Sequence, residues 1–464
     1  MATKDAPMVT PRERATTLSL EPSPHGASSM ERRGRQMYEA TLASYRRSLD
    51  QHMPECAFRS FADWGSTPGH AEHELFAQIN GVSQLARMTT LLLSPATPTD
   101  REWSQVAPAA ALMNAWQTHE VYSDNLALGL GLPPTLDDEA MAGRRELLRR
   151  FNHEIVRYLD LCPRATRAQL HGVLSGFDSE VSLFEQSLGV DKHQRLARAF
   201  AAVRPELDER ALEHDYAAVL TANVMSAGEV MDAIDHPALR VLVRRWLRHR
   251  YRSVDAMMQG WDFYELDLLE HGGRTILVAP TLGYYVFAVA DALGLRSRLT
   301  PELVYGPLEE ALRSAAILVR LLNDLGTSLM TETTDQRRRE LEALSETLLY
   351  RDPRDTRLVD ALARLESASF TRLAKDARFR EINLGFYGFG HRELSPALVG
   401  ELTLRIDSFA RAYEDHRRAM AENLSLLTAQ LGDSRCASMV DAFVSFHEEL
   451  YGHHYHQGAG EYAV

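Results

Sequence analysis

Apolar positions along this chain recur at spacings of three and four residues, and strand-like alternation is nearly absent, so the pattern predicts helices almost throughout. Two amphipathic helices are expected between Arg35 and Met88, parted by a loop around Gly65 to Gly69. Another runs from Arg101 to about Leu130 and stops at the Gly129, Gly131, Pro133, Pro134 breaker cluster. Further helices are expected over Arg144–Leu161, Ala165–Leu188, Glu209–Ile234, Leu404–Leu431 and Ala437–Leu450. Within Trp261–Leu295 one helix ends at Gly272 and Gly273, and a very apolar one follows, bent or broken by Pro280 and Gly283. The longest begins at Thr300, Pro301 and Glu302, which read as an N-cap, an N1 proline and a first-turn acid. Leu303, Leu308, Ala315, Ala316, Val319 and Leu322 carry it onward, and the pattern extends it to Glu332. A length of 464 residues allows one large helical domain or two.

Candidate chemistry gathers at the end of that long helix. Asp324, Ser328 and Glu332 stand at i, i+4 and i+8, one stripe on a continuous helix, and form a set of hard oxygen donors suited to Mg²⁺. Asn323, Thr327 and Thr331 make a polar stripe beside it; the competing reading is a frayed helix end leaving the core. A second pair of acids, Glu120 and Asp124, lies near the end of the Arg101–Leu130 helix beside His119, Ser123 and Asn125. Like charges one turn apart repel by a few tenths of a kcal/mol, so the pair either attracts a cation or sits on a solvated helix end.

The stretch NDLGTSLMTE, from Asn323, resembles the second metal-binding motif of class I terpene synthases, N-D-x-x-S/T-x-x-x-E. Read from Asp324, the stripe carries the negative charge such a site needs. HEVYSDNLALGLGLPP, from His119, resembles in degraded form the Asp-rich first motif at a helix end; rivals are Asp178, Glu180 and Glu185, while Asp137, Asp138 and Glu139 read better as a helix cap. In the broken helix, Thr281 and Gly283 match an R-x-x-T-x-G-like signature; Val278 stands where the arginine belongs, and Arg274 lies one turn earlier. His454 and Tyr455 stand in the place of the C-terminal Arg-Tyr pair. The resemblance covers roughly residues 100 to 455. It implies an all-α fold, a single large helical bundle of the class I terpenoid synthase type around a central cavity over residues 34–464. It implies Mg²⁺ on Asp324, Ser328, Glu332, Glu120 and Asp124, a prenyl diphosphate contacted by Asn323, Gly283, Tyr284 and His454, and catalytic roles for Arg274 and Tyr455. The activity implied is ionisation of the diphosphate and cyclisation of the carbocation, with aromatic faces shielding the cation. A reading from another class is a non-catalytic helical binding or scaffold protein on the same fold. A helical di-metal oxidase would need E-x-x-H pairs on facing helices, and no convincing set is present.

Composition narrows the partners. A net charge of −13 argues against nucleic acid. Cys56, Cys162 and Cys436 are odd in number and far apart, which suits a reducing cytoplasm. The apolar uncharged run Thr275–Ala290 is 16 residues, against roughly 20 for a membrane span. Residues 1–33 lack the apolar core of a signal peptide and read as a disordered tail open to docking a partner; a homodimer stays open as well. The basic run Arg244–Arg252 reads as a solvated face, with a phosphate patch as the lesser alternative. Arg337, Arg338 and Arg339 read either as surface or as groups closing over a diphosphate, and His453, His454 and His456 lack the spacing of a zinc site.

Overall fold

The computed structural model describes residues 28–131, 133, 139–176, 181–184, 190–207, 212–260, 263–350 and 356–452. It is 79% helical with no strand among the described residues, so helix-on-helix packing alone builds the core. That core is contiguous from Met37 to Val444. Local signals start its helices where expected: Thr99 and Glu102 form a reciprocal capping box at the head of Asp100–Ala127. Ser28 and Glu31 do the same for Ser29–His52, so that helix begins inside the stretch expected to be tail.

The helix Val278–Ala292 forms the axis of the bundle. It is buried from Val278 to Ala290 and packs against Asp100–Ala127, Pro237–Met258, Glu309–Leu325 and Arg435–Gly452. Gly283 permits a close crossing with Pro237–Met258, since a Cβ there would stand 3.0 Å from Val243 Cγ2. The break before this helix falls at Thr275–Leu277 and not at Pro280 or Gly283. Thr275 Oγ1 donates to the Gly272 carbonyl (2.7 Å), and Pro280 sits in the first turn of the new helix, where a missing N–H leaves no bond unmade. The pair Glu265–Arg274 and Val278–Ala292 is bent by 50° and together passes a membrane-span test on length and composition; no single helix among the described residues does.

The segment expected as one helix from Thr300 to Glu332 is cut twice. Thr300 caps Pro301–Leu303 as expected, but Gly306 leaves helical geometry within a π-type turn over Val304–Leu308, next to Pro307. The helix resumes as Glu309–Leu325 and stops at Gly326, whose φ of 88° and ψ of 157° are open in practice to glycine alone. A short turn Thr327–Thr331 follows, and Glu332 is extended. Among the described residues of the region expected as Ala165–Leu188, the helix covers Arg167–Leu174, and Asp178, Glu180 and Glu185 lie outside the described residues.

Candidate functional site

Glu120 and Asp124 project from the last turns of Asp100–Ala127 toward Pro237–Met258, which presents Arg250 and Tyr251. Glu120 is buried: its Oε1 accepts from the Tyr251 hydroxyl (2.7 Å), and its Oε2 pairs with Arg250 (3.0 Å) and accepts from Ser123 Oγ (3.2 Å). Arg250 also donates to Asp124 Oδ1 at 2.7 Å. Asp124 keeps 65% of its side chain open to solvent. The repulsion between the two acids is thus relieved by a buried arginine from another helix, at short distances that make both bonds strong.

Asp324 is buried completely. Its Oδ2 accepts from Arg320 Nε (3.0 Å) and from the Leu384 amide (2.8 Å), and its Oδ1 accepts from Asn323 Nδ2 (3.1 Å). Arg320 reaches on to Thr275 Oγ1 (3.2 Å) and the Ile382 carbonyl (2.6 Å), and Asn383 Nδ2 donates to the Asp324 carbonyl (2.7 Å). Arg372 holds Asn323 by its carbonyl and its side-chain oxygen. Together these bonds tie the turn at 382–385 over the end of Glu309–Leu325. Burial pushes the Asp324 carboxyl up to about 6, against the pull of Arg320 beside it.

The two clusters come to the same end of the bundle. Asp124 feels the charge of Arg320 as well as those of Arg250 and Glu120, and Asp100–Ala127 and Glu309–Leu325 each pack against the helix Val278–Ala292. Gln117, one turn before Glu120, donates to Thr281 Oγ1 at 2.6 Å and fixes the head of that central helix beside the cluster.

The remaining expected residues are more dispersed. With the helix broken at Gly326, Asp324, Ser328 and Glu332 no longer share one stripe. Ser328 is half-buried, and one carboxylate oxygen of Glu332 is buried without a hydrogen-bond partner. Burial, then Glu340, holds the Glu332 carboxyl above its usual range. Arg274 pairs with Glu270 (3.4 Å) and turns toward His249 on Pro237–Met258. Gly283 lies at a helix crossing, and Tyr284 is buried with its hydroxyl unpartnered. Tyr285, beside it, bonds Thr89 and Asn114. Arg337 is buried and donates to Asp407 (3.2 Å) and to the Glu332 carbonyl. His454 and Tyr455 lie outside the described residues, as do Asp137, Asp138 and Trp261.

The donor set is hard oxygen, right in kind for Mg²⁺, but Glu120 and Asp324 are not free to hold one. Both oxygens of Glu120 and both of Asp324 are taken by protein donors, and no group of three His, Cys, Asp or Glu among the described residues stands ready to hold a metal. Two open clefts, of about 620 Å³ beside His236 and Arg296 and about 530 Å³ beside Tyr413 and Arg417, are lined by none of these carboxylates.

The residues that sequence reasoning passed over are the arginines. Arg320 stands four residues before Asp324, a legible pairing distance on a helix; Arg250 lay within a basic run read as a solvated face. Comparisons of the chain with protein-family models, with curated proteins and with solved structures found no match.

Proposed function

We propose that the chain is a terpenoid-synthase-like enzyme that takes a prenyl diphosphate beside the exposed carboxylate of Asp124, ionises it and cyclises the carbocation. The observation that carries this reading is the convergence, at one end of a helical bundle, of acid and arginine pairs from helices some 200 residues apart, Glu120, Asp124 and Arg250 with Arg320 and Asp324. Leaving-group departure is favoured where positive groups meet the developing charge in a water-poor site. Arg250 has capacity for this, because its Nε is buried without an acceptor, and the head of the helix Val278–Ala292 adds the partial positive charge of a helix N-terminus. Tyr284 and Phe287 on the same helix, with ring centroids 6.3 Å apart, offer π-faces to a cation. The carboxylates Glu120, Asp124 and Asp324 outnumber the guanidiniums Arg250 and Arg320 by one, so a diphosphate needs accompanying cations; Mg²⁺ therefore belongs in the test.

One observation favours a second reading, a non-catalytic binding or scaffold protein on the same fold: each carboxylate of the site already has an arginine partner, and the central helix fills the bundle axis. Incubation of the purified chain with prenyl diphosphates of increasing length, with Mg²⁺ or with EDTA, separates the two. The enzyme reading expects cation-dependent pyrophosphate release with an apolar product, lost in Asp124→Asn. No release from any substrate by folded protein would overturn it in favour of the scaffold.

A further inference from the structure

We propose that the face of Pro237–Met258 bearing Arg245, Arg248, His249 and Arg252, together with Arg274 from the end of the helix Glu265–Arg274, binds a small phosphate-type oxyanion. These four helix positions stand at i, i+3, i+4 and i+7 and share one face. Arg250 points away from it, into the bundle toward Glu120 and Asp124, so the two sites lie on different sides of one helix.

The face is rich in donors and short of acceptors. Arg245 pairs with Glu309, Arg248 with Asp160 (3.2 Å) and Arg274 with Glu270 (3.4 Å), which cancels three positive charges. Arg252 has no ion pair or hydrogen bond among the described residues, and its charge remains. The Nε–H groups of Arg245 and Arg274 are buried without acceptors, and so is the indole N–H of Trp246, a side chain in a residue only 5% exposed whose ring meets His249 edge-on at 6.1 Å. Buried N–H groups without acceptors are rare because each forfeits its bond to water. A ligand made of acceptors satisfies such donors.

His249 measures the local field. It is half-buried, has no hydrogen bond among the described residues, and is pressed down to about 4, first by burial and then by Arg274, Arg245, Arg248 and Arg252. At neutral pH it is therefore an uncharged imidazole amid guanidiniums, adding a hydrogen bond without further repulsion among cations. Donors converging from a helix face and from the tip of a second helix suit a tetrahedral oxyanion better than a planar carboxylate, and guanidinium groups match phosphate oxygens well.

Calorimetric titration of the full chain at low salt tests this, with inorganic phosphate in one arm and phenyl phosphate in the other. The expected result is saturable binding at one site, weakened at least tenfold by Arg252→Glu and unchanged by Arg338→Glu, an exposed arginine on Thr334–Leu349. Both substitutions fall on exposed side chains, and circular dichroism checks the fold. Binding in both arms identifies free phosphate as sufficient; binding of phenyl phosphate alone identifies a monoester. No saturable binding in either arm, or equal behaviour of the two variants, overturns the site.

Discussion

At the scale of single residues, Asp324 does two things that one side chain can combine: it satisfies a buried arginine and it holds a turn. Asp324→Ala would leave Arg320 buried without its counter-charge and the Leu384 amide without its acceptor, and we expect a loss of about 3–5 kcal/mol. Urea unfolding measures it; a loss under 1 kcal/mol would mean that the pair is dispensable. His119 gives a prediction with a pH signature. Its Nε2 meets Ser48 Oγ at 2.9 Å, and burial, followed by the charge of His52, holds its pKa down to about 3. The folded value lies below the unfolded one, near 6.5, so the unfolded chain binds the extra proton between those limits. Stability then falls as pH drops below about 6.5, by roughly 3 kcal/mol at pH 4 from this residue. His119→Asn should flatten that slope in denaturant titrations at pH 7 and pH 4, and an unchanged slope would assign the acid sensitivity to other groups.

At the scale of elements, glycine sets the limits that matter most. The spacing of Asp324, Ser328 and Glu332 suggests a continuous helix, yet Leu325-Gly326 is itself a helix-stop signal, and Gly326 adopts a conformation that a side chain resists. Gly326→Ala is expected to cost about 1–3 kcal/mol, read as a lower urea midpoint at unchanged m. A neutral outcome would mean that the helix can run through this point and restore the acidic stripe. The all-helical class, the N-cap at Thr300 and the break after Gly273 were legible, because they follow from residues adjacent in sequence. The exact bend was less so. Pro280 looks like a kink until the preceding turn is seen to end already at Thr275, after which the same proline belongs to a new first turn.

At the scale of the molecule, the candidate site was legible as acids and illegible as pairs. Glu120 meets Arg250, and Asp324 meets the Leu384 amide, across separations along the chain that no local pattern encodes. Which carboxylate remains open to solvent is decided by that packing, and it leaves Asp124 as the exposed one. The charge balance at this end makes a prediction for the whole fold. A ligand that binds the native state stabilises it by RT ln(1 + [L]/Kd), about 2.7 kcal/mol at a hundredfold excess over Kd. In a chain of this size that is a rise in Tm of a few °C. Because the carboxylates outnumber the arginines, pyrophosphate alone should produce little of that rise, whereas pyrophosphate with Mg²⁺ should produce it in full. Differential scanning fluorimetry with each component, both together, and EDTA added afterwards makes the comparison, and Asp124→Asn should abolish the joint effect while retaining the unliganded Tm. A rise with pyrophosphate alone that survives EDTA would show that the arginines suffice for the anion. No rise under any condition would leave the paired charges as struts of a helical bundle.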